Sequence, residues 1–159
     1  MLELIQSLKS PLPKFDTVLH LGAGPYFRGD LYESIPANHY VLVEADPEHA
    51  IELRDSAGGS GVFQIIECLL APQSGQHSFR RFTFPSLNGL FGLGAIQQIY
   101  PRARETGQIA MEAGTFADLL AGLKLDASAT NALIFDIPGL EATLLQDAAS
   151  RVLEHFDWV

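Results

Sequence analysis

Residues 17–24, Thr-Val-Leu-His-Leu-Gly-Ala-Gly, and residues 40–47, Tyr-Val-Leu-Val-Glu-Ala-Asp-Pro, decide the fold of this chain. The first stretch is an apolar run that ends in two glycines, Gly22 and Gly24. About twenty residues later a second apolar run ends in Glu44, which is the spacing of a nucleotide-binding βαβ unit. Glycine lets the backbone approach a ligand without an intervening Cβ, and a carboxylate at the next strand end can accept hydrogen bonds from two ribose hydroxyls.

The composition indicates a single domain covering residues 1–159. The chain is 47% hydrophobic and 18% charged, which fits a parallel sheet with apolar strands. A net charge of -9 disfavours nucleic acids and anionic membrane surfaces as partners. The lone Cys68 excludes an internal disulfide, and the five scattered histidines lack ligand spacing, so we expect no metal site. No apolar run is long enough for a membrane helix, and residues 1–10 lack a signal-peptide core, so we expect a cytoplasmic protein.

Apolar and β-branched runs predict the strands, and turn residues separate them. The main strands are expected at Thr17–Leu21, His39–Glu44, Val62–Cys68 and Ala132–Asp136, with a further strand starting at Phe156–Val159. The alternation at His77–Phe84 predicts an extra strand or hairpin arm. The glycine-rich stretch Pro85–Gly107 is too long for a simple connection, so we expect a lid or substrate loop there.

Capping residues and apolar spacing predict the helices between these strands. We expect helices with an apolar face at Leu2–Leu8, from Asp30 as N-cap, after Asp46-Pro47, at Thr115–Leu123 with Thr115 as N-cap, and at Pro138–Leu153. Strands that alternate with helices indicate an α/β protein: a three-layer, Rossmann-like, doubly wound and mostly parallel sheet. In such a sheet ligands bind at the carboxyl ends of the strands, and Gly22, Glu44, Cys68 and Asp136 all fall at such ends.

Four segments in a fixed order carry a resemblance to a known family: VLHLGAG, VLVEADP, TFADLL and ALIFDIPGLEATLL. The last two place Thr115 before a helix, Asp136 at the end of an apolar strand, and Gly139 and Glu141 shortly after it. Together the segments span about residues 17–145 and resemble the FkbM-type methyltransferases, which have the class I fold and use S-adenosylmethionine (SAM).

This resemblance implies methyl transfer from SAM to an oxygen, with a small-molecule or sugar hydroxyl as acceptor. Gly22 and Gly24 would pass beneath the methionine part, and Glu44 would hold the ribose hydroxyls. Glu67 and Cys68 would lie near the adenine, and Asp136 near the methionyl end or the acceptor, where it could position the hydroxyl or act as a base. The implied cofactor-binding residues are Gly22, Ala23, Gly24, Glu44, Ala45, Glu67, Cys68 and Asp136.

The chain departs from the family pattern in several places. His20 stands where the fold often has an acidic residue, Tyr26 where a third glycine is common, and Pro138 where an acidic residue usually precedes Gly139. The last strands of the class I fold are also missing, so we expect a second copy or a further C-terminal segment to cover an open sheet edge.

Other interpretations of these residues remain open. A dehydrogenase shares the first βαβ unit, but Phe27 occupies the place of its third glycine. A methyltransferase fold retained only for binding or assembly is the other alternative. At single positions, Glu44 could be a solvated strand-end carboxylate, Asp136 a helix cap, and His20 a core histidine.

Overall fold

The computed structural model of this chain describes residues 12–59, 61–126, 128–147 and 153–159. Its strands are β1 (Phe15–Leu21), β2 (Ala37–Glu44), β3 (Phe63–Glu67), β4 (Leu69–Leu70), β5 (Gly75–Phe82), β6 (Glu105–Gly114) and β7 (Asn131–Phe135). Its α-helices are α1 (Gly29–Ser34), α2 (Pro47–Ser56), α3 (Ile96–Ile99), α4 (Phe116–Gly122) and α5 (Glu141–Asp147). Short 3-10 helices lie at Pro85–Leu87 and Leu153–His155.

The main sheet has the strand order β3-β2-β1-β7, and every neighbouring pair is parallel. Trp158 adds a parallel bridge to Ala132 on the free side of β7, and the Leu133 amide donates to the Trp158 carbonyl oxygen at 2.9 Å. The strand predicted at Phe156–Val159 is therefore present as one bridge. The α/β class and the mostly parallel sheet are confirmed, and this order is compatible with a Rossmann-like fold.

Helices cover both faces of this sheet because its strand residues alternate in direction. Leu19 and Leu21 pack on one face with Phe116 of α4 and Leu144 of α5. Val18 and Leu42 pack on the other face with Leu31 of α1 and Leu53 of α2. Each of these side chains is almost fully buried, and burying one stabilises the fold by about 1.5–3 kcal/mol.

A second sheet with the order β4-β6-β5 separates β3 from α4 in the chain. β5 pairs antiparallel with β6, while the short β4 pairs parallel with it. The extra strand predicted at His77–Phe84 is confirmed as β5. Phe79, Leu69 and Ala113 form a small buried cluster between these strands, which fixes the second sheet beside the carboxyl ends of the first.

A helix begins near Asp30 as predicted, but the cap predicted for α1 and the start predicted for α5 are wrong. The residue before α1 is Arg28, and Asp30 lies inside the first turn, where its carboxylate is 3.5 Å from the Arg28 Nε. α5 begins at Glu141 and not at Pro138, because Gly139 has a φ of +83° that a helix cannot contain. The helix predicted at Leu2–Leu8 and residues 148–152 lie outside the described residues.

The other two helix starts are confirmed with their caps. The Asp46 carboxylate accepts a hydrogen bond from the Glu48 amide, and Pro47 opens α2. Thr115 and Asp118 form a reciprocal capping box at α4. No helix in the described part of the chain has both the length and the apolar character that crossing a membrane requires.

Candidate functional site

A crevice lies at the carboxyl ends of β1, β2, β3 and β7. Its empty volume is about 570 Å³, including the part open to solvent. Residues from six stretches of the chain line it, and the predicted ones among them are Gly22, Gly24, Glu44, Ala45, Cys68 and Asp136. Two predicted residues face elsewhere: Ala23 is buried in the core, and Glu67 is exposed and lies 3.5 Å from Arg54 of α2.

Gly22 is required by the protein's own backbone. Its φ is +78°, and a Cβ built on it would lie 2.1 Å from the Asp136 carbonyl oxygen. This close approach follows from the sheet, since the Asp136 amide donates to Leu21 and the Gly22 amide donates to Val43. The close approach seen at Gly22 is therefore between two strand ends of the protein, and the approach of this glycine to a ligand stays a prediction.

Gly24 leaves open space at the crevice. Its φ is +77°, and no heavy atom lies within 4 Å of the place where a Cβ would stand. Its amide donates to the Oε2 of Glu44 at 2.9 Å. Backbone without a side chain thus borders free space beside a carboxylate, which is the feature expected of a nucleotide cradle.

Glu44 is held by two backbone amides at the end of β2. Besides the Gly24 amide, the Asp46 amide donates to its Oε1 at 2.8 Å. Only 7% of the residue is exposed, so the interpretation as a solvated strand-end carboxylate is wrong. Burial raises the pKa of Glu44, while the two amides and His49 act in the opposite direction. Each carboxylate oxygen has two lone pairs, so capacity to accept further hydrogen bonds remains.

Asp136 directly follows β7 and borders the crevice from the opposite side. Although the residue is exposed overall, partial burial of its carboxyl group raises its pKa, Glu141 adds to this effect, and Arg28 opposes it. The interpretation of Asp136 as the cap of a helix at Pro138 is wrong, because α5 begins only at Glu141. Its carboxyl group can therefore contact a ligand in the crevice.

His20 is a core residue, as the alternative interpretation predicts. It is 3% exposed, and its Nδ1 lies 2.9 Å from the Tyr32 hydroxyl. Burial, with a smaller contribution from Arg28, lowers the pKa of His20 to about 4. The ring is therefore neutral near pH 7.

Cys68 is half-buried in the lining of the crevice, and its thiol donates a hydrogen bond to the Leu69 carbonyl oxygen at 3.5 Å. Burial raises the pKa of this thiol, so it stays protonated and unreactive near neutral pH. With Leu69 and Leu70 it forms an apolar part of the lining.

Comparisons of the chain with protein-family models, with curated proteins and with solved structures find no match. The geometry of the crevice therefore carries the functional argument. Within residues 12–59, 61–126, 128–147 and 153–159, no group of three or more His, Cys, Asp or Glu side chains could hold a metal ion.

Several crevice residues have no distinctive signal in the sequence. His49 of α2 lines the crevice, and its Nδ1 is 3.9 Å from the Glu44 Oε1 and 4.0 Å from the Asp46 Oδ2. One wall is formed by Pro85, Ser86, Asn88, Gly89 and Leu90, which begin the stretch predicted as a lid or substrate loop. An isolated histidine and a turn-rich stretch are too common in sequences to identify a site without the fold.

Proposed function

We propose that this chain is a SAM-dependent methyltransferase that transfers the methyl group to a hydroxyl oxygen of a small molecule or sugar. The observation that supports this proposal most is the position of the buried Glu44 carboxylate, 2.9 Å from the Gly24 amide, beside open space at the ends of adjacent parallel strands. Ligands of open α/β sheets bind at this place.

The residues fit the parts of SAM by chemical type. The unused lone pairs of Glu44 can accept hydrogen bonds from the two ribose hydroxyls. Leu69, Leu70 and Leu90 offer an apolar lining for the adenine ring.

Asp136 is the proposed catalytic residue. SAM, when bound, supplies a methyl group on a positively charged sulfur, so the protein mainly has to align the acceptor and exclude water. A hydroxyl acceptor must also lose its proton, and a carboxylate with a raised pKa takes up that proton more readily. Asp136 would accept the hydroxyl hydrogen and hold the oxygen in line.

A non-catalytic binding module is the second candidate. The hydrogen bonds of Glu44 favour this candidate, because both of its carboxylate oxygens already accept bonds from backbone amides, those of Gly24 and Asp46. This arrangement holds the loop after β1 without any ligand. Such a module would bind a nucleoside or a partner and carry out no transfer.

Calorimetry with S-adenosylhomocysteine, the demethylated product, tests the binding step. We expect micromolar affinity for the unsubstituted chain, and at least about tenfold weaker binding for Glu44→Gln, because about 1.4 kcal/mol is lost with the hydrogen bonds to ribose. Glu52→Gln on the exposed side of α2 is the matched control and should bind normally. No detectable heat with the unsubstituted, folded chain contradicts the proposal.

Transfer of a labelled methyl group from SAM to a panel of sugars and small alcohols tests catalysis. Asp136→Asn should lose about 100-fold or more of the rate while its affinity for S-adenosylhomocysteine changes less than threefold. Asp55→Asn, an exposed carboxylate on α2, should leave both unchanged. Binding without transfer to any compound of the panel would favour the non-catalytic module.

A further inference from the structure

The wall of the crevice that faces the main sheet is one folded-back segment, residues 82–90, which we name the strap. It begins at Phe82, the last residue of β5, and contains the short 3-10 helix Pro85–Leu87. The strap supplies much of the crevice lining, through Pro85, Ser86, Asn88, Gly89 and Leu90. Any ligand beside Glu44 would therefore lie between the main sheet and the strap.

Backbone hydrogen bonds give the strap a defined reversal. The Arg80 amide donates to the Gly89 carbonyl oxygen at 2.8 Å, and the Gly89 amide donates back to Arg80 at 3.1 Å. The Asn88 side chain closes the turn, because its Oδ1 accepts from the Phe82 amide at 2.8 Å. The strap is thus a short hairpin with its own hydrogen bonds, and contacts with other segments hold it in place and stabilise it against opening.

Asp46 provides those contacts on the side of the main sheet. Its Oδ1 lies 2.6 Å from the Nη2 of Arg81, and its Oδ2 accepts from the Nδ2 of Asn88 at 3.3 Å. The Asp46 side chain is only 2% exposed, so its charge needs a close cation. Arg81 meets this need with a forked guanidinium, whose other nitrogen, Nη1, lies 2.8 Å from Glu48.

The same Asp46 also holds the opposite wall. Its backbone amide donates to the Glu44 Oε1 at 2.8 Å, while its side chain binds Arg81 and Asn88 of the strap region. One residue thus connects the carboxylate proposed to bind ribose with the segment that faces it. A displacement of the strap changes the width of the crevice at Glu44.

We infer that Arg81 is a positioning residue for the nucleoside. Arg81 holds the strap against Asp46, so that the strap and Glu44 contact the ligand from two sides. This inference rests on the proposed nucleoside site. It adds a function for the inserted second sheet, whose β5 carries Arg81. The ion pair between Arg81 and Asp46 sets the position of the strap, and this pair lies outside the contacts of the ligand. Arg81 therefore affects the affinity for the ligand through the strap.

The chain offers a matched control for Arg81 in its neighbour on β5. Arg80 also forms a carboxylate pair at 2.8 Å, with Glu105 of β6, at similar exposure. Arg81→Lys keeps the charge and loses the forked geometry, and Arg80→Lys makes the same change away from the crevice. We expect Arg81→Lys to weaken S-adenosylhomocysteine binding at least tenfold, and Arg80→Lys to change it less than twofold.

Amide hydrogen exchange measures how often the hydrogen bonds of the strap open without any ligand. In Arg81→Lys the amides of Phe82 and Gly89 should exchange at least tenfold faster than in the unsubstituted chain, and in Arg80→Lys at the original rate. Adding S-adenosylhomocysteine to the unsubstituted chain should slow these two amides and leave the Ser128 amide, which bonds locally to Asp126, unchanged. A ligand that lies against the strap protects these amides in the unsubstituted chain, and a positioning role for Arg81 requires this protection to be smaller in Arg81→Lys.

The two sets of measurements separate the possible failures. If Arg81→Lys binds the ligand as tightly as the unsubstituted chain, or if the ligand does not protect the strap amides, the inference is overturned while the proposed function stands. If the unsubstituted chain binds no S-adenosylhomocysteine, the proposed function fails, and with it the role of Arg81 toward a nucleoside. If Arg81→Lys does not fold, Glu48→Gln repeats the test, because it removes the second carboxylate partner of Arg81 at an exposed position. Glu105→Gln, which removes the carboxylate partner of Arg80, is its matched control.

Discussion

At the scale of single residues, buried His20 makes the fold sensitive to acid. Its pKa of about 4 lies below the value of ~6.5 expected in the unfolded chain, so the unfolded state binds the proton more readily. The stability from the neutral ring is complete above pH 6.5 and is lost as the pH falls toward 4. Over this range the free energy of unfolding should fall by about 3 kcal/mol on account of His20.

Urea unfolding at pH 7 and pH 4 checks this contribution. Between pH 7 and pH 4 the free energy of unfolding of His20→Phe should fall by about 3 kcal/mol less than that of the unsubstituted chain. This difference does not depend on the stability of the variant at pH 7. The same substitution at His39, an exposed residue of β2, should leave the pH dependence as it is. If the free energy of unfolding changes equally with pH in His20→Phe and in the unsubstituted chain, the buried His20 ring does not cause the sensitivity to acid.

The two glycines of the first loop should respond differently to alanine. Both have a positive φ, but only at Gly22 would the Cβ meet backbone, 2.1 Å from the Asp136 carbonyl oxygen. Gly24→Ala should cost about 1–2 kcal/mol from the left-handed backbone alone. Gly22→Ala should cost about 3 kcal/mol or more, because β1 and β7 must also move apart. Thermal and urea unfolding of both variants measure the difference, and equal losses would contradict it.

At the scale of elements, α4 depends on its capping box. The Thr115 hydroxyl accepts from the Asp118 amide at 3.1 Å, and the Asp118 carboxylate accepts from the Thr115 amide at 3.1 Å. Thr115→Ala removes the first bond and should lower the free energy of unfolding by about 1 kcal/mol. Thr115→Ser retains the hydroxyl and should keep most of that stability, so a loss as large as that of alanine would contradict the assignment.

At the scale of the whole molecule, fully buried Asn131 joins distant parts of the chain. Its Oδ1 accepts from the Thr17 amide of β1 at 3.2 Å, and its Nδ2 donates to the carbonyl oxygens of Asp126 and His155. Asn131→Leu leaves these groups without partners and should cost about 3 kcal/mol. The exposed Asn38→Leu should cost under ~0.5 kcal/mol, and urea unfolding compares the two. A loss below 1 kcal/mol for Asn131→Leu would show that water replaces the amide.

The main sheet and two of the helix caps could be predicted because their signals are local. An apolar run that ends in glycine or a carboxylate indicates a strand and its end, as at Leu21 and Glu44. Asp46-Pro47 and Thr115 mark helix starts through bonds to residues two or three positions away. β6 has no such pattern: its sequence is Glu-Thr-Gly-Gln-Ile-Ala-Met-Glu-Ala-Gly, and only its pairing with β5 makes it a strand.

For the candidate site too, some features could be predicted from the sequence and others only from the tertiary structure. The sequence by itself determined which strand ends carry glycine or acid, because parallel strands place their carboxyl ends at one edge. Only the tertiary structure decided that Glu44 binds the Gly24 amide, that Gly22 faces the Asp136 carbonyl oxygen, and that Arg81 reaches Asp46. These contacts join residues that are 20 to 114 positions apart along the chain, and no local pattern of residue types specifies which distant groups meet.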